Sequence, residues 1–337
     1  MKSLPARILA FGLSALAAVV PGLAQAQGPA SGAAPATAWS TPTVRIVVPY
    51  PPGTEPDVLA RDLGNALGKA TGKAFVVENK PGANAIIGTD MVAKADADGA
   101  TLLMVDRLAV VTNPVLYGKL PYRWEEALRP VSDIAGVHLF LGVKDAFPAR
   151  SFSEFVAWCK ANPGKLQVGT GGNGHVNHIG MAMLAQAHGL SFSYVPYKGV
   201  GPAMQGLLAG EVDSVLAGGM VMQAQSATKR IRVLVSGDER HGAVLSDVPT
   251  LAEAGGKAGS IPATVFALFA PGKVSDAMVA QINAAVAAAL APAELRKAYA
   301  ARGLEVTTSS PAQTLAQMKQ DALRYERIIR EAGIKLE

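Results

Sequence analysis

The chain has a single cysteine, which excludes a disulfide framework within it. Charged residues are scarce too: 17 %, against roughly 25 % in typical soluble domains, while half the residues are apolar. That balance excludes disorder as the dominant state and leaves enough apolar mass for sizeable cores. Beyond residue 26 no stretch reaches the about 18 uninterrupted apolar residues of a membrane span. There is no G-x-S-x-G nucleophile elbow, and no pair of acids is placed to argue hydrolysis. A strong charge bias is also missing. Against 26 acidic residues stand 31 basic ones, a net of +5 that is too mild and too dispersed for nucleic acid.

An export signal is present. Lys2 and Arg7 form a basic start, Ile8–Val20 an apolar run, Pro21 and Gly22 a break, and Ala24-Gln25-Ala26 a small-residue cleavage site. The apolar run is too short to span a bilayer comfortably, although an uncleaved anchor is the alternative. Removing residues 1–26 removes two basic residues and no acidic one, so the net falls from +5 to +3. Residues 27–41, rich in Ala, Gly, Pro, Ser and Thr, read as a flexible leader. The length of 337 residues suggests two domains.

From residue 43 onward, short apolar runs alternate with amphipathic ones. Strands are expected at 44–49, 74–78 and 101–105, with helices from Asp57 to about Gly72 and over 86–95. This βαβαβ order implies a parallel sheet covered by helices. The middle repeats the style. It begins with one long apolar strand at 134–143 and a helix whose capping box pairs Ser151 with Glu154. Further strands are expected at 166–169, 193–196, 212–216, 231–235 and 264–269. Helices fill 176–187, 202–208 and 275–290, and a last one runs from Pro311 to about Glu331.

In open parallel sheets, ligands bind at the carboxyl ends of strands. Four strand-to-helix loops fit that rule: Tyr50–Asp57, Asn79–Gly88, Gly169–His178 and Tyr197–Ala203. Such turns aim backbone N–H groups and the positive helix end at an anion. Asp57 can serve as an N-cap, as a ligand contact, or as both. The third loop contains a literal G-x-G-x-x-G at Gly169, Gly171 and Gly174, but a dinucleotide site also needs an acid about 20 positions on. Glu211 is the first acid to follow. His175 and His178 have metal-like spacing without an obvious third ligand, so no metal or other cofactor is expected. Cys159 lies on an apolar helix face and reads as an inert core residue.

Six spaced stretches carry a resemblance that runs in order through nearly all of the chain after the export signal. They are VVPYPPGTEPDVLAR (47–61), VENKPGANAIIGTDMVAKADADGATLL (77–103), NPVLYGKLPY (113–122), GTGGNGHVNH (169–178), VPYKGVGPAMQGLLAGEVD (195–213) and SDVPTLAEAG (246–255). On these the chain resembles the periplasmic solute-binding receptors of tripartite tricarboxylate transporters, the TctC or Bug-type family. The resemblance implies an α/β, type II periplasmic-binding-protein fold with two lobes and a central ligand cleft. Lobe one would be 42–140 plus 262–337, and lobe two 141–261. The implied function is capture of a small carboxylate and its delivery to a permease with one large and one small membrane subunit. The receptor would be monomeric, periplasmic and not an enzyme. An exported sensor that passes occupancy to a membrane partner is the alternative.

Carried over residue by residue, Tyr50, Gly53 and Asp57 match the first loop pattern, and Pro81, Gly82 and Gly88 the second. Thr170, Gly174 and His178 match the third, and Tyr197, Gly199 and Asp213 the fourth region. The departures cluster in the cleft. Thr54 replaces a Gly, Asn84 and Ala85 stand where a Gly pair is usual, and Ile86 stands where Asn is common. Asp106 and Arg107 replace small hydroxyl residues, His175 replaces a Ser, and Val265 and Phe266 fall in a common Trp region. The expectation is that Thr54 and Asn84 narrow the carboxylate niche. Arg107 either forks onto a second acidic end of the ligand or is neutralised by Asp106.

Overall fold

The computed structural model describes residues 39–262 and 264–334. The export signal read in residues 1–26, and residues 27–38 of the expected leader, lie outside them. Trp39 corrects the end of that leader. It is buried, its Nε1–H donates to the Gly99 carbonyl at 3.0 Å, and its ring meets Phe75 edge-on.

The elements in chain order are β1 (Thr43–Val48), α1 (Glu55–Thr71), β2 (Ala74–Asn79), α2 (Ile86–Ala93), β3 (Thr101–Asp106), α3 (Arg107–Tyr117), α4 (Trp124–Ala127) and β4 (Leu128–Val137). Then come β5 (Leu139–Lys144), α5 (Phe152–Ala161), β6 (Leu166–Thr170), α6 (Val176–His188), β7 (Phe192–Pro196), α7 (Val200–Ala209), β8 (Ser214–Gly218), α8 (Gly219–Ser226) and β9 (Ile231–Ser236). The chain closes with β10 (Thr264–Pro271), α9 (Asp276–Leu290), α10 (Ala293–Ala300), β11 (Leu304–Val306) and α11 (Pro311–Glu331).

The strands build two sheets, ordered β11-β4-β10-β3-β1-β2 and β7-β6-β8-β5-β9. β1 pairs in parallel with β2 and β3, as the strand–helix–strand alternation predicts. β10 returns from late in the chain to pair antiparallel with both β3 and β4. In the second sheet β6 runs parallel to β7 and β8, while β5 is antiparallel to β8 and β9.

Helices cover both faces of each sheet, so strands buried on both sides read as unbroken apolar runs. Every residue of β3 is buried. One face of the first sheet packs Val44 and Ile46 against Leu59, Leu63, Ile282 and Val286 of α1 and α9. Its opposite face gathers Val105, Leu108, Leu116 and Ile328, and with them Ile179, Ala182 and Met183 of α6. This second cluster joins the two lobes with apolar contact. The expected α/β architecture of two lobes is therefore observed.

Several boundaries differ from the sequence reading for definable reasons. The expected strand at 134–143 is two strands: β4 belongs to the first sheet, β5 to the second, and only His138 lies between them. His138 is the one break in that apolar run, and a single polar residue does not by itself mark a change of sheet. α3 follows β3 without a loop because the Asp106 carboxylate caps it, Oδ1 accepting the Leu108 N–H at 2.9 Å. No helix is expected after the strand at 101–105, since the segment has no loop before it and carries Pro114 within it. α1 opens at Glu55, with Thr54 at the N-cap and Pro56 in the first turn, so Asp57 is not the N-cap. The Ser151 box is half closed. Ser151 accepts the Glu154 N–H, but the Glu154 carboxylate takes the Arg150 N–H instead of that of Ser151.

Candidate functional site

The loops after β1, β2, β6 and β7, the β3–α3 junction and Gly218 at the end of β8 all lie at carboxyl strand ends. They meet across the cleft between the lobes. Contacts that fix this meeting are the Asn84 Nδ2–H to the Gly174 carbonyl at 3.4 Å, Gly174 against Leu116, and Glu55 against Gly218.

The first loop is organised by Asp57. Its buried carboxylate accepts the Gly53 N–H at 2.9 Å, two hydrogen bonds from Arg61, and the Asn79 amide at 2.9 Å. Burial pushes its pKa up, but the hydrogen bonds from Arg61, Gly53 and Asn79 outweigh that and hold it below the usual carboxylate range. Asp57 is thus an internal hub that ties loop one to β2. Gly53 adopts φ +79°, a left-handed turn suited to glycine. Thr54 turns its hydroxyl back onto the Pro51 carbonyl at 2.7 Å. Tyr50 sets its ring edge-on to Phe266, and its hydroxyl accepts the Asp106 N–H at 3.4 Å. Burial, then the nearby Asp106 charge, pushes the Tyr50 phenol well above its ordinary pKa.

In the second loop Ala83, Asn84 and Ala85 take φ values of +46°, +48° and +72° in succession. Left-handed backbone is costly for residues with a Cβ, least so for Asn. Asn113 of α3 offsets part of that cost. Its Oδ1 accepts from Asn84 Nδ2 and its Nδ2 donates to the Asn84 carbonyl, each at 2.8 Å. The backbone N–H groups of Asn84 and Ala85 meet no acceptor among the described residues.

The third loop is pinned by its own helix. Asn177 Oδ1 accepts the Gly171 N–H at 3.0 Å, and His178 Nδ1 accepts the Gly174 N–H at 3.1 Å. The His175 side chain caps α6 at the Asn177 N–H. Burial lowers the His175 pKa, and burial followed by the His175 charge pushes His178 down to about 4. His175 thus caps α6, while His178 reaches back from its first turn to brace the loop. Among the described residues no three His, Cys, Asp or Glu side chains gather as a metal would need. Asn177 Nδ2 is buried with no acceptor. Thr170 is fully buried, and the fourth loop is zipped to the third. The Tyr197 N–H donates to the Thr170 carbonyl at 2.9 Å, and the Gly199 N–H to the Gly171 carbonyl at 3.2 Å.

Four expected contacts stand elsewhere. Arg107 is bound to Asp133 at 2.7 Å and Asp321 at 3.4 Å, both partly buried beside it. It is neither free to fork onto a ligand nor neutralised through Asp106. Asp106 is instead the cap of α3, and burial pushes its pKa up to about 7 even against its own hydrogen bonds and the Arg107 charge. Tyr197 lays its ring along α7 over Gly206 and gives its hydroxyl to Glu211 at 2.9 Å. Asp213 sits at the amino ends of β6 and β8, the opposite edge from the loops. There it holds Lys144 at 2.6 Å and accepts the Gln167 N–H at 2.9 Å. The residues that neutralise Arg107 could not be found by spacing, because Asp321 lies 214 positions away. Asn113 and Glu55 were passed over although each lies in a stretch that carries the resemblance. An acid at the first helical turn, and an Asn before a Pro, were the available signals.

Comparison with known proteins matches residues 59–334 to the family described as tripartite tricarboxylate transporter family receptor. Protein BugT of Bordetella pertussis is 31 % identical over 307 residues, covering 90 % of this chain and 94 % of its own. Among solved structures, an R. palustris protein with adipate superposes with a TM-score of 0.82 at 28 % identity, covering 88 % of this chain and all of that one. MatC from Rhodopseudomonas palustris with bound malate gives 0.76 at 27 % identity, covering 85 % of this chain and 98 % of that one.

Proposed function

The chain belongs to the tripartite tricarboxylate transporter receptor family of periplasmic solute-binding proteins, and on that premise we propose that its cleft captures a small carboxylate for delivery to a membrane permease. The observation that carries this reading is a set of unmatched donors in two loops that touch each other, Asn84 reaching Gly174. The N–H groups of Asn84 and Ala85 and the buried Asn177 amide have no acceptor among the described residues, and α1, α2 and α6 each start just past the carboxyl end of a strand. Donors aimed into a partly dry cleft suit an anion. The acids bound by the two R. palustris proteins, adipate and malate, support a carboxylate as the ligand class.

The ligand is held between a lobe of residues 42–140 and 262–337 and a lobe of residues 141–261. Tyr50, Gly53 and Thr54 shape one wall, Asn84 and Ala85 the floor, and Thr170, Gly174 and His175 the opposing wall. Asp57 and His178 hold their loops in place from behind. The receptor works as a monomer after cleavage behind Ala26 and presents its closed lobes to the large and small permease subunits. A micromolar ligand requires about 8 kcal/mol in total, within reach of several charge-assisted hydrogen bonds in a closed cleft. The test is thermal unfolding against a panel of mono-, di- and tricarboxylates. A bound acid at 100 times its Kd is expected to stabilise the protein by about 2.7 kcal/mol, and a panel without any shift would sink the reading.

A further inference from the structure

Glu55 stands at the first position of α1, fixed by Pro56 behind it, and its carboxyl reaches across the cleft to Gly218 at the end of β8. A Cβ at residue 218 would lie 2.5 Å from Oε1 and 2.7 Å from Oε2, so only glycine leaves the carboxyl its place. Oε1 is buried, and no donor among the described residues meets it. Every other acid around the site has a partner: Asp57 has Arg61, Asp106 the α3 cap, and Asp133 has Arg107. Burial alone moves Glu55, pushing its pKa up to about 7 although it sits at a helix N-terminus, which favours the charged form. A desolvated carboxylate without a partner is an unfavourable arrangement that a cationic donor would relieve.

We infer that Glu55 selects a ligand carrying a protonated amine together with its carboxylate, the ammonium resting on Glu55 beside Gly218 and the carboxylate on the donors of the second and third loops. The inference rests on the carboxylate-capture reading and narrows it. A second ligand carboxylate at that point would meet a like charge in a poorly solvated cleft, so plain diacids are disfavoured there.

Titration calorimetry of the full chain with matched series tests this: succinate, malate and aspartate; glutarate and glutamate; butyrate and 4-aminobutyrate; benzoate and 3-(aminomethyl)benzoate. In at least one series the ammonium member is expected to bind about tenfold or more tighter than its unsubstituted partner. Its binding near pH 7 should release on the order of half a proton to solvent, because Glu55 ionises against the cation. Glu55→Gln should bring the ratio to within about threefold and abolish proton release, the ammonium member losing affinity and the plain diacids losing none. Gly218→Ala, which displaces the carboxyl without removing it, should narrow the ratio as well and carries the test if the Gln variant does not fold. Equal binding of plain and ammonium members, malate matching aspartate, or an unchanged ratio in both variants overturns the inference and leaves carboxylate capture standing. If no member of any series binds, carboxylate capture fails and the inference falls with it.

Discussion

Asp57 shows how a single buried carboxylate fixes a loop. Its oxygens hold Gly53, Arg61 and Asn79 at once, joining the first loop to the second strand. Removing one partner of a fully buried pair costs about 3–5 kcal/mol, and Arg61 is half-exposed, so Asp57→Ala should destabilise by about 2 kcal/mol in denaturant titration. The folded pKa is depressed, so this stability is present above the unfolded value near 3.9 and is lost as pH falls through the folded one. An acid-unfolding midpoint unchanged in Asp57→Ala would contradict the hub. Gly174 is the second informative position. It has φ +71°, and a Cβ there would lie 2.5 Å from Leu116 Cδ1. Gly174→Ala should therefore weaken ligand binding by about tenfold by holding the lobes apart, with partial recovery when Leu116→Ala is added. Non-additivity in that double-mutant cycle is the measurement. At this scale the sequence disclosed which loops matter but not what each side chain holds. Asp57, Asn84 and His178 stand out by their place between a strand and a helix. Their partners Asn79, Asn113 and Gly174, and the pair Asp133 and Asp321 around Arg107, are brought in by tertiary contact.

Among the elements, the alternation of apolar runs and capped helices was legible because it depends on nearest neighbours. Most strand and helix boundaries fell within two residues of those expected, from β1 to the Ser310–Pro311 start of α11. What escaped were α3, α4, α8, α10 and β11, where no element was expected, and the junction of β4 with β5, which became one of the more informative places in the fold. His138 is the only residue between the two strands, so the chain passes from one sheet to the other there. Its Nδ1 lies 2.5 Å from Asp238, just past β9, and Nε2 is 3.7 Å from Glu305 on β11. The Asp238 hydrogen bond raises the His138 pKa, and burial lowers it less. A raised folded pKa gives stability that is complete below the unfolded value near 6.5 and fades as pH climbs through the folded one. Melting temperature should accordingly decline with pH in the window just above 6.5, and the decline should flatten in His138→Gln. A slope identical in the two proteins would count against an ionic clasp at this junction.

For the whole molecule, the two sheets, the apolar patch between α3, α6 and α11, and the crossing at His138 define how the lobes approach. Leu116 and Ile179 share one buried cluster, and hydrogen bonds on the rim add to it. Gln186 donates to Glu331, and Arg324 donates to the Gly259 carbonyl at 3.1 Å. A ligand that bridges the lobes shifts this equilibrium by its differential affinity for the closed form. Small-angle scattering should show a smaller radius of gyration with ligand than without, and a ligand that stabilises the fold without compaction would argue against binding between the lobes. The placement of β10 has a consequence of another kind. It lies between β3 and β4 in the middle of the first sheet, so that sheet stays split until residues beyond 264 are available. The second sheet is made wholly from the continuous stretch 139–236 and needs nothing that follows. A chain made or threaded from its amino end therefore completes its second lobe first, while the first lobe waits open for its missing central strand. Such long-range pairing is slow to form. In pulse-labelling hydrogen exchange the amides of β5, β6 and β8 should gain protection before those of β3 and β4, so the slow step of folding lies in threading one late strand into an early sheet.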